Sequence, residues 1–147
     1  MFNSIRVLFI TTLFSAFAFG DVFISEYAEG SSNNKYVEIY NGTGSDLDLT
    51  GYELWKISNG GDWSESSLAL TATVAVGDVY VVCGTASNLD DTIVAACDEG
   101  WSQANWNGDD AVGLAFNGEL IDAVGTDGAD PGSAFDVCGN GDTKDNT

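Results

Sequence analysis

The side chains in this sequence that could do chemistry are almost all carboxylates. The chain has 23 Asp and Glu residues against four Lys and Arg and no histidine, for a formal charge of −19. Without imidazole, Ser-His-Asp and Cys-His nucleophilic arrangements are excluded, as are most zinc sites. Glu26 and Glu38 fall on adjacent expected strands and could face each other, the minimal equipment for glycoside hydrolysis. Strand carboxylates of this kind more commonly meet backbone groups or a cation such as Lys35. On that reading no catalytic residue is assigned and no enzyme activity is expected. A hard cation takes roughly six to eight oxygens, and two clusters offer several: Asn107, Asp109 and Asp110 before one strand, and Asp127, Asp130 and Asp136 after the next. Calcium is therefore the one cofactor to consider, against the plainer role of these residues as turn-makers. The tail "GNGDTKDNT" has alternate oxygens but misplaces the glycine and lacks the closing Glu of an EF-hand loop.

Other candidates are weaker. Asn41-Gly42-Thr43 is an N-glycosylation sequon, so Asn41 is an acceptor candidate in a cell that glycosylates, and equally a turn residue. Trp55, Trp63, Trp101 and Trp106 could stack on sugars, with Trp101 and Trp106 flanking one loop, but packing is the commoner use of such rings. Direct nucleic-acid binding is not expected, because a phosphate backbone is held mainly by Lys and Arg.

The first twenty residues set the compartment. Arg6 precedes an apolar run from Val7 to Phe14, and Ala18-Phe19-Gly20 supplies a small-x-small cleavage site. Residues 1–20 read as a secretory signal and 21–147 as one domain, secreted and without a transmembrane segment once the signal is removed. In that setting disulfides are permitted. Cys83 and Cys97 close one local unit and are the expected pair, which leaves Cys138 without a partner in the chain.

The mature sequence reads mostly as strands with turn punctuation. Val22–Tyr27 and the alternating "YVEIY" at 36–40 flank the turn cluster "EGSSNN". Leu47 and Leu49, then Tyr52, Leu54 and Lys56, are spaced by two. "LALTATVAV", "VYVVCG", "AVGLAF" and "ELIDAVG" follow, the last two joined by Asn117-Gly118, a strong hairpin signal. One stretch differs. "SNLDDTIVAACDEG" predicts a short helix with Ser87 as N-cap, Leu89, Ile93, Ala96 and Cys97 on one face, and Gly100 at its end. About seven strands in one domain suit a β-sandwich.

The order of motifs resembles the lamin-tail domain, in the version attached to secreted bacterial nucleases and phosphatases. The segments that carry the resemblance are "VFISEYAEGSSNNKYVEIYNGT" at 22–43, "LDLTGYEL" at 47–54, "VAVGDVYVV" at 74–82, "NWNGDDAVGLAFNGELIDAVG" at 105–125 and "DPGSAFD" at 130–136. The resemblance implies an all-β, immunoglobulin-like sandwich that is non-catalytic, a secreted interaction or targeting module for a protein or cell-surface partner. It carries over no site residues. Family members usually continue into a final apolar-basic strand, so the domain is expected to lack that strand. The alternatives are a fragment of a secreted nuclease or phosphatase, or a carbohydrate-binding module using the loop tryptophans.

Overall fold

The computed structural model describes residues 20–136. Nearly all of the expected signal, Cys138 and the "GNGDTKDNT" tail lie outside the described residues.

Alternation in the sequence builds the first hairpin. Strand β1 (Val22–Glu29) pairs antiparallel with β2 (Lys35–Asn41), from Val22 opposite Asn41 to Glu29 opposite Lys35. "EGSSNN" is the turn between them, with Ser32 at φ 60° and the Gly30 N–H donating to Asn34 O at 2.9 Å. Every second residue of β2 is buried: Lys35, Val37, Ile39 and Asn41. Strand β3 (Leu47–Asp48) is short, and β4 (Tyr52–Ile57) points Leu54 and Lys56 inward, as their spacing predicts.

The stretch "LALTATVAV" does not make one strand. It divides into β5 (Ser66–Ala69), paired with β4, and β6 (Thr73–Val74), paired with β3. Between them Leu70 N donates to Tyr52 O and Ala72 O accepts from Leu49 N, both at 2.9 Å, so the chain leaves one ladder before entering the other. Strand β7 (Val79–Cys83) is followed by helix α1 (Asp91–Ala96) and β8 (Glu99–Gly100). Strands β9 (Ala111–Phe116) and β10 (Glu119–Val124) form the second hairpin, with Asn117 at φ 51° and Gly118 at φ 82° as its sequence requires.

The helix begins three residues later than the sequence suggests. Asp90, not Ser87, is the N-cap: its backbone is extended and its carboxylate accepts from Thr92 N at 2.9 Å. Asn34 Oδ1 accepts from Asp90 N at 2.8 Å and so fixes the start to the first hairpin's turn. Gly100 does not end the helix. The chain turns extended at Cys97, and Gly100 pairs with Cys83 in a parallel bridge. None of the residues of α1 is buried, so the expected apolar face of Leu89, Ile93, Ala96 and Cys97 packs no core.

Two four-stranded sheets, in the orders β1-β2-β7-β8 and β10-β9-β4-β5, face each other, with β3-β6 as a small third ladder. Between them lie Val37, Ile39, Leu49, Leu54, Leu70, Val82, Trp106, Val112 and Leu114, all essentially solvent-free. Burying each such side chain is worth about 1.5–3 kcal/mol before entropy is set against it. The two ends of this sandwich differ. One is closed by charged groups from Glu29, Lys35, Lys56 and Asp110; the other is framed by Val22, Tyr52 and Phe116.

Cys83 and Cys97 are joined by a disulfide with Cα atoms 5.8 Å apart, the pairing the sequence suggests. Because α1 buries no side chain, its C-terminal end is tied to β7 by this bridge and by two hydrogen bonds between Asp98 and Val81. A serine replacement at both cysteines should lower stability by roughly 3 kcal/mol, the chain-entropy value for a loop near 15 residues. Urea melts would measure the loss, and hydrogen exchange should quicken mainly in α1. Unchanged exchange there would mean the helix is held by other contacts.

Candidate functional site

The outer face of the first sheet carries the two strand carboxylates. Glu26 and Glu38 stand directly opposite each other across β1 and β2. Like charges at such a position repel. Lys35 does not neutralise them, because its Nζ donates to Gly30 O at 2.9 Å at the far end of the hairpin. Their partners are hydroxyls: Tyr36 Oη donates to Glu26 Oε1 and Ser25 Oγ to Glu38 Oε1, each at 2.7 Å. The bond to Glu26, with help from burial and the two charges, pushes the Tyr36 phenol up to about 12. Helix α1 stands beside this face, and Val81, Thr92, Ile93 and Ala96 complete a cleft of about 260 Å³. One end is doubly anionic and the other aliphatic.

The charged end of the sandwich is built from inward positions of three strands and the loop before β9. Lys56 Nζ donates to Asn105 Oδ1 at 2.7 Å and lies 3.6 Å from Asp110 Oδ2, with both side chains almost fully buried. Among the described residues this is the only ion pair. Asp110 also accepts from Asn59 N and Asn107 N, each at 3.0 Å. Asp109 is equally buried, and its Oδ1 has no hydrogen-bond partner; the same holds for Glu29 Oε2. Burial, first, and then the charges of Asp110 and Asp109 raise the Glu29 carboxyl above its usual range, against the pull of Lys35 and a Gly108 backbone hydrogen bond. Burial likewise lowers Lys35, which Glu29 and Asp110 partly offset.

A raised carboxyl binds its proton more tightly in the folded chain than in the unfolded one. Its cost is therefore present above the folded pKa and fades as pH falls towards its ordinary value. Glu29→Gln should raise stability relative to the parent at pH 7, with a smaller gain at pH 5. Denaturant melts at the two values check this, and a gain that grows on acidification would contradict it.

The residues of the two calcium-candidate clusters make local contacts. Asp110 is committed to Lys56 and two backbone N–H groups, and its own N donates to Asn107 O at 2.7 Å, so Asn107 and Asp110 close a turn. Asp130 Oδ1 accepts from Gly132 N at 2.7 Å, and Asp127 Oδ1 accepts from Thr126 Oγ1 at 3.2 Å, both exposed turn bonds. Asp136 is exposed at the limit of the described residues. Among the described residues no group of three or more acidic or thiol side chains is arranged to hold a metal ion. No chemistry is derived through a metal.

Asn41 is an interior residue and not a surface acceptor. It is 1% exposed, and its Nδ2 donates to Ser45 O, Val74 O and Ala75 O at 2.8, 2.9 and 3.1 Å. Thr43, the third sequon residue, donates through N and Oγ1 to Asn41 Oδ1. A glycan on that nitrogen is incompatible with these bonds. Trp101 and Trp106 are likewise core: Trp106 is fully buried, stacks on Tyr27 at 5.6 Å and donates to Ala28 O at 3.0 Å. Trp55 and Trp63 are the half-buried pair, 6.4 Å apart.

Two packed, mainly antiparallel sheets with one short helix define the class of domain, an all-β, immunoglobulin-like sandwich. The family model of the Lamin Tail Domain matches residues 15–128, and the chain belongs to that family. No curated protein matches the chain significantly. Among the described residues no helix is long and apolar enough to cross a membrane.

Proposed function

We propose that this chain is a secreted, non-catalytic interaction or targeting module, and that it grips a cationic group on a protein or cell surface through the Glu26–Glu38 cleft. One observation carries the reading. Among the described residues both lysines are buried, so no cationic side chain is displayed, while two facing carboxylates stand in a cleft with no countercharge. A lysine or arginine side chain matches both halves of the cleft, with its charge at the glutamates and its methylenes along Val81, Ile93 and Ala96. Such a field also steers cationic partners in, with strong salt dependence. The leader-like N-terminus and the disulfide support an exported protein. Binding in place of catalysis is supported by carboxylates that each take a hydrogen bond from a neutral hydroxyl on an exposed sheet face.

The test is calorimetric titration with tetralysine. Replacing both Glu26 and Glu38 by Gln should weaken binding by roughly five-fold or more, about 1 kcal/mol. A control that removes the same charge elsewhere, Asp127→Asn with Asp130→Asn, should change it little. Equal losses in the two variants would reduce the interaction to diffuse charge and defeat the proposal.

A further inference from the structure

Among the described residues, the end of the sandwich opposite the buried charges is open. Tyr52 and Phe116 lie opposite each other in register, with ring centroids 4.5 Å apart. They continue the inner face that next holds Leu54 and Leu114, both fully buried. Val22 of β1 and Ile121 of β10 complete an apolar wall, and with Asp21 and Thr43 these residues enclose about 330 Å³. The two sheets are stitched beside it by Ile24 N donating to Asp122 Oδ2 at 2.7 Å, where both edge strands carry a bulge. Core chemistry is thus left in water: Phe116 is 39% and Ile121 46% exposed. Apolar surface of this kind with a polar rim marks an interaction site.

The rim has one sign. Asp21 lines the cleft, Glu119 stands opposite Phe116 in the β9–β10 hairpin, and both are exposed. We infer that this end is a second docking surface, for a short basic protein segment. One branched or aromatic side chain of that segment fills the space between Val22, Tyr52, Phe116 and Ile121, and flanking Lys or Arg residues meet Asp21 and Glu119. The volume, near the low end of roughly 300–1,000 Å³ for ligand pockets, suits one or two side chains. A second copy of the chain would bring another acidic rim against this one and is disfavoured on charge. The inference does not depend on the Glu26–Glu38 cleft.

The experiment is an NMR titration of the isotope-labelled chain with three eight-residue peptides: lysines around a central Phe-Leu pair, the same with serines for that pair, and the same with glutamates for the lysines. The first should shift the amides of Val22, Phe116 and Ile121, and at those amides the other two should bind roughly ten-fold more weakly, about 1.4 kcal/mol. Ile121→Asn, at an exposed position, should weaken the first peptide to a similar degree. Followed at the amides of Val22, Phe116 and Ile121, the Glu26→Gln, Glu38→Gln variant should bind it as the parent does. Binding that ignores Ile121→Asn, equal binding of the serine or glutamate peptide, or dimers formed through this end in sedimentation would overturn the inference.

Discussion

Lys56→Met is expected to destabilise the domain by roughly 3 kcal/mol, the lower part of the range for breaking a buried ion pair. The methionine fills much the same space, so packing is nearly kept. What is lost is the countercharge to Asp110, which is then left buried with only the Asn59 and Asn107 backbone N–H groups to hold it. Asn105 Oδ1 also loses its donor. Asp110→Ala should cost a comparable amount by stranding the ammonium. The double variant should cost less than the sum, because contacting residues do not add. Urea melts of the four proteins give the coupling, and strict additivity would show that the pair is screened by water.

Trp106→Ala should be more damaging still, at about 3–5 kcal/mol. The indole is fully buried, stacked on Tyr27, and carries the N–H that satisfies Ala28 O at the β1 end of the hairpin. Its removal leaves a cavity and an unpaired carbonyl together. Against a total stability of roughly 5–15 kcal/mol, the loss is a fifth or more. Trp106→Phe should recover part of the packing without the hydrogen bond and fall between. Thermal unfolding orders the three proteins, and an alanine variant as stable as the parent would remove Trp106 from the core.

Much of this was legible in residue spacing. The β2 alternation, the "EGSSNN" turn and the Asn117-Gly118 hairpin follow from local rules, and the inward position of Lys56 follows from Tyr52 and Leu54 two residues apart. The facing of Glu26 and Glu38 followed from adjacent strands. Other features depend on contacts distant in sequence. Ser87 and Asp90 are both acceptable caps, and the choice is made by Asn34, which holds Asp90 from the first hairpin. The division of "LALTATVAV" depends on where Leu49 and Tyr52 offer their backbone groups. Asn41 and Thr43 read as a sequon, although the alternation of Val37 and Ile39 continues inward to Asn41; here Asn41 ties the end of β2 to the chain around Val74 and Ala75. Likewise the sequence offers Asp109 and Asp110 as calcium ligands or turn-makers, and the fold sets Asp110 against Lys56 and brings both near Glu29.

The most direct measurement is the map of amide shifts when tetralysine is added to the labelled chain. Shifts gathered at Glu26, Tyr36, Glu38, Thr92 and Ile93 are the predicted result. Shifts spread evenly over the exposed acids, with none favoured beside α1, would contradict the account.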